Sequence, residues 1–141
     1  MFNEENYRNI LEEVIPFHKL LGTQLQDIRE GYAAILIPFR PDLVGDPRTQ
    51  RIHGGVTSFA MDAAGGAAGI TTLSNSHDLI STIDIRVDYL APGKPEDILA
   101  EGFIVKSGGS VLFTRMTARH PGSEELIAEG RGVYRVKRTA S

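Results

Sequence analysis

The sequence predicts an α+β domain in which one antiparallel sheet packs against a long central helix. Three observations carry this. Residues 56–73 are the least charged stretch of the chain, with Asp62 as their single charge. Strand-like runs follow at Leu79–Leu90, Ile98–Ser107, Ser110–Arg119 and Glu125–Lys137. The turns between them are too short for parallel crossovers, which need a dozen or more residues.

Each element has its own local reason. Tyr7, Ile10, Leu11, Val14 and Ile15 recur at helical spacing, so residues 4–15 form an amphipathic helix that stops before Pro16. A helical turn around Phe17–Leu21 follows and ends at Gly22. From Thr23 to Ile37, Leu25, Ile35 and Ile37 mark alternating apolar sites, and Glu30-Gly31 is the turn of a hairpin. Arg40–Ile52, with two prolines, a glycine and many polar residues, reads as a loop. The central helix, about residues 55–73, starts beside His53-Gly54-Gly55. Pro92-Gly93, Gly108-Gly109 and Pro121-Gly122 separate the last strands.

The 141 residues are one domain of ordinary composition, 41% hydrophobic and 23% charged, and long enough to bury a core without a staple. Having no cysteine excludes disulfide scaffolds, thiolate zinc sites, iron–sulfur clusters and a Cys nucleophile. A net charge of −3 offers no bulk positive field to nucleic acid or anionic lipid, so any anionic ligand must meet a local cluster. The opening MFNEENYRNILEEV is acidic where an export or transit signal needs a basic start, which makes the cytoplasm the expected compartment. No metal or redox cofactor is expected: His-x-x-x-His spacing, a Walker loop, a G-x-G-x-x-G turn and a G-x-S-x-G elbow are all missing from the sequence. His18, His77 and His120 fall in or beside turns and are expected at the solvated surface.

Asp62 is the most informative residue. Phe59, Ala60, Met61, Ala63, Ala64, Ala67, Ala68 and Ile70 surround it, so the helix should be almost enclosed by protein. A carboxylate there is penalised unless hydrogen bonds, a cation or water in a cleft compensate it, as a structural Asp bonded to a neighbouring strand or as a chemical group. Gly65, Gly66 and Gly69 each cost about 1 kcal/mol against Ala in a helix, so something must approach the helix backbone closely. At the helix start, unpaired N–H groups suit an anion or a carbonyl oxygen gaining charge. Asp62 lies roughly 10 Å further along, at 1.5 Å rise per residue.

The run His53-Gly54-Gly55-Val56-Thr57-Ser58-Phe59-Ala60-Met61-Asp62, followed by Ala63-Ala64-Gly65, resembles the signature of the PaaI-like acyl-CoA thioesterases of the hotdog-fold superfamily. Thr82–Gly93 (TIDIRVDYLAPG) is similar to that family's strand after the helix, and Pro16-Phe17 to Leu21-Gly22 to its opening segment. The resemblance spans almost the whole chain. It implies a hotdog fold, a long helix wrapped by an antiparallel sheet, dimerising so that active sites lie at the subunit interface, often with dimers paired into tetramers. It also implies an acyl-CoA substrate, coenzyme A being part of the substrate. Asp62 would be general base or nucleophile, and the Gly55 N–H would polarise the thioester carbonyl with His53 or Gly54 supporting the loop. Thr82 matches a Ser or Thr that orients water from the partner subunit. The family commonly carries an Asn or Gln shortly before the His; here position 47 is proline, and Asp46 and Gln50 are the candidate substitutes.

The phosphates of coenzyme A require cations. Arg86, Lys94, Lys106, Arg115 and Lys137-Arg138 are candidates, with backbone donors in the turn containing Gly108 and Gly109. Arg86 belongs to a polar set, Thr82, Asp84, Arg86 and Asp88, that alternates with Ile83, Ile85, Val87 and Tyr89. Two other readings compete: a hotdog dehydratase or hydratase using His53 and Asp62 as acid and base, and a non-catalytic acyl-CoA binding module.

Overall fold

The computed structural model describes residues 3–139. Asn3 caps the first helix, α1 (Glu4–Asn9), by accepting from the Asn6 N–H at 3.1 Å, and Glu4 and Glu5 occupy its positive end. The helix then widens. Ile10–Val14 is a π-turn in which the Ile15 N–H donates to the Ile10 carbonyl at 3.1 Å. Ile15 becomes extended before Pro16, which opens α2 (Pro16–Leu21), and Gly22 ends that helix at φ 72°.

Strands β1 (Gln24–Arg29) and β2 (Tyr32–Ile37) form the expected hairpin, with Gly31 at φ 77° in its turn. Arg40–Ile52 is more ordered than a loop. A 3₁₀ turn at Pro41–Leu43 leads into β3 (Val44–Asp46) and β4 (Arg51–Ile52), which pair because Val44 meets Ile52 across an otherwise polar hairpin. Then comes α3 (Gly54–Ile70). It stops short of Leu73 because the Thr71 and Thr72 hydroxyls donate to the carbonyls of Ala68 at 2.6 Å and Gly69 at 2.7 Å, satisfying the helix end.

The remaining strands are β5 (Leu79–Tyr89), β6 (Ile98–Ser107), β7 (Val111–Arg119) and β8 (Leu126–Lys137). The six long strands form one antiparallel sheet in the order β1-β2-β6-β7-β8-β5, wrapped around α3. This is the hotdog architecture that the resemblance implied. Ala33, Ile35, Ile98, Ala100, Met116 and Ala118 of the sheet bury Ala60, Met61, Ala64 and Ala68 of the helix completely.

Small residues set the closeness of that contact. A Cβ at Gly65 would lie 2.4 Å from the Tyr134 hydroxyl, and one at Gly69 would lie 2.4 Å from Ile80 Cδ1, so a side chain at either helix glycine would displace the sheet side chains that pack over it. Gly66 is different. Its Cβ would meet nothing nearer than 3.7 Å, because it lies on a stripe with Phe59, Asp62 and Ile70 that the sheet leaves half-open. The helix is therefore not enclosed on every side.

The two sheet edges are treated differently. At β1, Glu12 accepts from the Leu25 N–H at 2.7 Å and Arg8 donates to the Leu25 carbonyl at 2.5 Å, so the N-terminal segment occupies that edge. The β5 edge is open. No helix among the described residues is long and apolar enough to cross a membrane.

Gly102 on β6 makes the tightest backbone approach between the two layers: a Cβ there would sit 2.4 Å from the Ala64 carbonyl oxygen. Neither backbone can yield cheaply. Gly102→Ala is expected to lower unfolding free energy by about 2–3 kcal/mol, measured by urea denaturation, whereas the exposed Gly109→Ala should be near neutral.

Candidate active site

Asp62 stands midway along α3 on its half-open stripe, facing β5 and β8. Its Oδ1 accepts from Thr82 Oγ1 at 2.9 Å and from the Tyr134 hydroxyl at 3.0 Å. The Tyr134 hydroxyl also lies 2.9 Å from the Asp62 carbonyl. Burial, reinforced by the Asp62 charge, raises the Tyr134 hydroxyl well above the ordinary tyrosine range, so it remains a protonated donor. Oδ2 accepts nothing from the described residues and is open to a cleft of about 160 Å³. Apolar side chains of Leu11, Ile15, Phe59, Ala67, Ile70 and Ile80 line most of it. A larger groove of about 480 Å³ shares Ile15, Ile70 and Ile80 and runs on past Tyr7, Ile10 and Leu73, with Asn6, Asn75, Ser76 and Asp78 also in its wall.

Thr82 reaches Asp62 through an irregularity. Strict alternation puts Thr82 on the same face as Asp84, Arg86 and Asp88. Instead the β5–β8 register shifts between Thr82 and Asp84, so Thr82 pairs with buried Tyr134 and faces the helix, while Asp84 pairs with Val133 and Arg86 with exposed Arg131. The bulged residue, Ile83, is pushed outward. Thr82 thus donates to Asp62 of its own chain.

At the head of α3 the geometry departs from a free donor array. His53 is the N-cap, and its Nδ1 accepts from the Gly55 N–H at 2.8 Å. An incoming carbonyl oxygen can take that N–H only in exchange for the imidazole. Tyr89 donates to the Gly54 carbonyl at 2.7 Å and is hydrogen-bonded to Ser58, and Tyr89 and Gly54 border a second cleft of about 390 Å³. Gly55 and Asp62 lie nearly on one line along the helix, about 10 Å apart.

The other candidates are not brought to Asp62 within one chain. Asp46 holds Arg48, whose side-chain and backbone hydrogen bonds keep the Asp46 carboxyl below the usual carboxylate range. Gln50, at φ 61°, turns its amide onto the Pro47 carbonyl at 2.9 Å. Both serve the β3–β4 turn. Arg86 pairs with Asp88 at 3.3 Å on the outer face of the sheet. Lys106 is exposed at the β6–β7 turn, where the Gly108 N–H is spent on the Val111 carbonyl and the Gly109 carbonyl accepts from Arg138.

Two histidines are not at the solvated surface. His120 is buried; its Nε2 accepts from the Lys94 N–H at 2.9 Å and its Nδ1 donates to the Asp97 carbonyl at 2.8 Å, which staples two loops. His18 is half-buried in the Asp62 cleft, its ring edge-on to Phe59 with centroids 5.1 Å apart. His77 is exposed as expected. Tyr134 escaped the sequence reading, since an alternating tyrosine in a strand carries no local mark of its partner.

Comparisons with known proteins agree with this fold. The thioesterase superfamily profile matches residues 49–127. A medium/long-chain acyl-CoA thioesterase of Escherichia coli, YigI, is 30% identical over 134 residues, 86% of each chain. A putative esterase of Halobacterium salinarum is 27% identical over 147 residues, 97% of each chain. A Shewanella oneidensis crystal structure related to the thioesterase superfamily superposes with a TM-score of 0.82 at 29% identity, covering 94% of each chain.

The cap itself is testable apart from any reaction. His53→Ala leaves the Gly55 N–H without its acceptor and is expected to cost about 1 kcal/mol in urea unfolding; His53→Asn, a strong cap, should recover most of it.

Proposed function

The chain belongs to the thioesterase superfamily and is a thioester hydrolase, and we propose that it cleaves acyl-CoA thioesters with Asp62 as the catalytic carboxylate. One observation carries this reading. Thr82 and Tyr134 pin Oδ1, which leaves Oδ2 as the free acceptor on a carboxylate that lines a largely apolar cleft shared with His18 and Ser81. Water bound at Oδ2 is deprotonated as its oxygen attacks the thioester carbonyl carbon; the C–S bond then breaks, giving free acid and coenzyme A. The acyl chain extends along the groove past Ile15, Ile70 and Ile80, whose apolar lining suits medium to long chains.

The Gly55 N–H is the oxyanion donor in this reading, once His53 yields it. Because Gly55 sits about 10 Å from Asp62 along one helix, a second copy of the chain supplies the donor facing each Asp62. The open β5 edge supports that arrangement, since Leu79, Ile83, Tyr89 and Leu90 are exposed there. Gln50 or Asp46 of the second copy would approach the same carbonyl. Arg86, Lys106 and the Gly108-Gly109 turn remain candidates for the nucleotide end of coenzyme A. Neither metal nor redox cofactor enters the reaction, and the cytoplasm, where acyl-CoA is available, is its proposed location.

Thiol release over acyl-CoAs of increasing chain length tests the chemistry. Asp62→Asn is expected to lower kcat by about 10²-fold or more at unchanged fold, with the wild type favouring medium and long chains. Wild-type turnover in Asp62→Asn overturns the assignment. Crotonyl-CoA hydration without thiol release would favour the dehydratase reading, and tight binding without turnover the binding-module reading.

Assembly has its own test. Ile83→Glu should convert the dimer to monomer in analytical ultracentrifugation and take thiol release down with it; a fully active Ile83→Glu dimer contradicts pairing through β5.

A further inference from the structure

His18 stands where the backbone leaves a carbonyl unclaimed. In the π-turn the Ile15 N–H goes to the Ile10 carbonyl. The Leu11 carbonyl would next receive a donor from position 16, but Pro16 has no N–H. Leu11 is buried, so that carbonyl needs a partner, and His18 Nδ1 supplies it at 3.1 Å. A carbonyl only accepts, so Nδ1 carries the proton. In the neutral ring Nε2 is then left as a lone-pair nitrogen, with no donor to it among the described residues.

The same ring lines the cleft onto which Asp62 Oδ2 opens. That cleft is small enough to hold only a handful of water molecules, and the imidazole and the carboxylate both line it. Among the described residues, the titratable groups sharing the cleft with His18 are Asp62 from α3 and Tyr134 from β8; the π-turn contributes Leu11 and β5 contributes Ile80, Ser81 and Thr82.

We propose that His18 is the proton carrier of this site, taking the proton that Asp62 removes from water and delivering it from Nε2 to the departing coenzyme A sulfur. The proposal rests on the thioesterase reading above. The step balances. A water O–H breaks and the O–C bond forms, the C–S bond breaks, and the proton passes from Oδ2 to Nε2 to sulfur, with no external acid. Burial lowers the His18 pKa, opposed by its bond to Leu11 and by the Asp62 charge. The ring therefore rests neutral at pH 7, able to accept, and its protonated form is a strong enough acid to protonate a thiolate.

The test measures kcat and KM for thiol release against pH. His18→Asn can still donate to the Leu11 carbonyl but has no titratable nitrogen. It is expected to lower kcat by about 10²-fold with KM within about twofold, and to lose the acid limb that the wild type shows on the acid side of the ordinary imidazole range as Nε2 is protonated before turnover. His18→Asn with wild-type kcat and an unchanged acid limb overturns the proposal, while loss of turnover in Asp62→Asn would leave the thioesterase reading standing. Should His18→Asn fold poorly, NMR titration of the His18 ring in the wild type and in Asp62→Asn replaces it. Removing the Asp62 charge must lower the His18 pKa, and an unmoved titration overturns the proposal. A wild type that releases no thiol from any acyl-CoA removes both readings together.

Discussion

The rest of the site depends on how one carboxylate is tolerated inside a small-residue helix. Asp62 is kept there by two hydroxyls on one oxygen, Thr82 from β5 and Tyr134 from β8. A hydrogen bond lost from a partly buried carboxylate costs more than one made to it contributes, so both donors matter to the site. This asymmetry explains why the sheet must approach so closely. Gly65 gives Tyr134 room to reach over the helix, and an added Cβ would collide with the hydroxyl that satisfies Asp62.

Two departures from regular secondary structure converge on this carboxylate. The bulge at Ile83 re-aims Thr82, and the π-turn with Pro16 frees a carbonyl that orients His18. Each costs regular hydrogen bonding locally, and each places a polar atom near the half-open stripe of α3. Bulges and π-turns concentrate at functional sites for this reason: they change the direction of a side chain without moving the element that carries it.

The unequal sheet edges follow the same economy of hydrogen bonds. Arg8 and Glu12, one helical turn apart, satisfy both backbone groups of Leu25 and close the β1 side. The β5 side keeps its backbone free beside exposed apolar residues. The thioester hydrolase thus closes one edge of its sheet and leaves the other uncovered, next to the cleft.

Much was determined by local sequence: the helix–hairpin–helix–four-strand order, the strand limits at β6 to β8, the small-residue helix, and Asp62 as its single charge. These follow from periodicity and from turn residues, which act within a few positions. Tertiary structure alone decided which way Thr82 points, that Tyr134 shares Asp62, that His18 and His120 are held inside, and that Arg40–Ile52 forms a small hairpin. Thr82, Tyr134 and His120 rest on hydrogen bonds between segments distant in sequence, and Thr82 also on a single-residue shift in register, while His18 rests on its bond to Leu11 and the small hairpin on the Val44–Ile52 pairing. Periodicity cannot encode such a shift, because inserting one residue inverts the face of every strand position on one side of it.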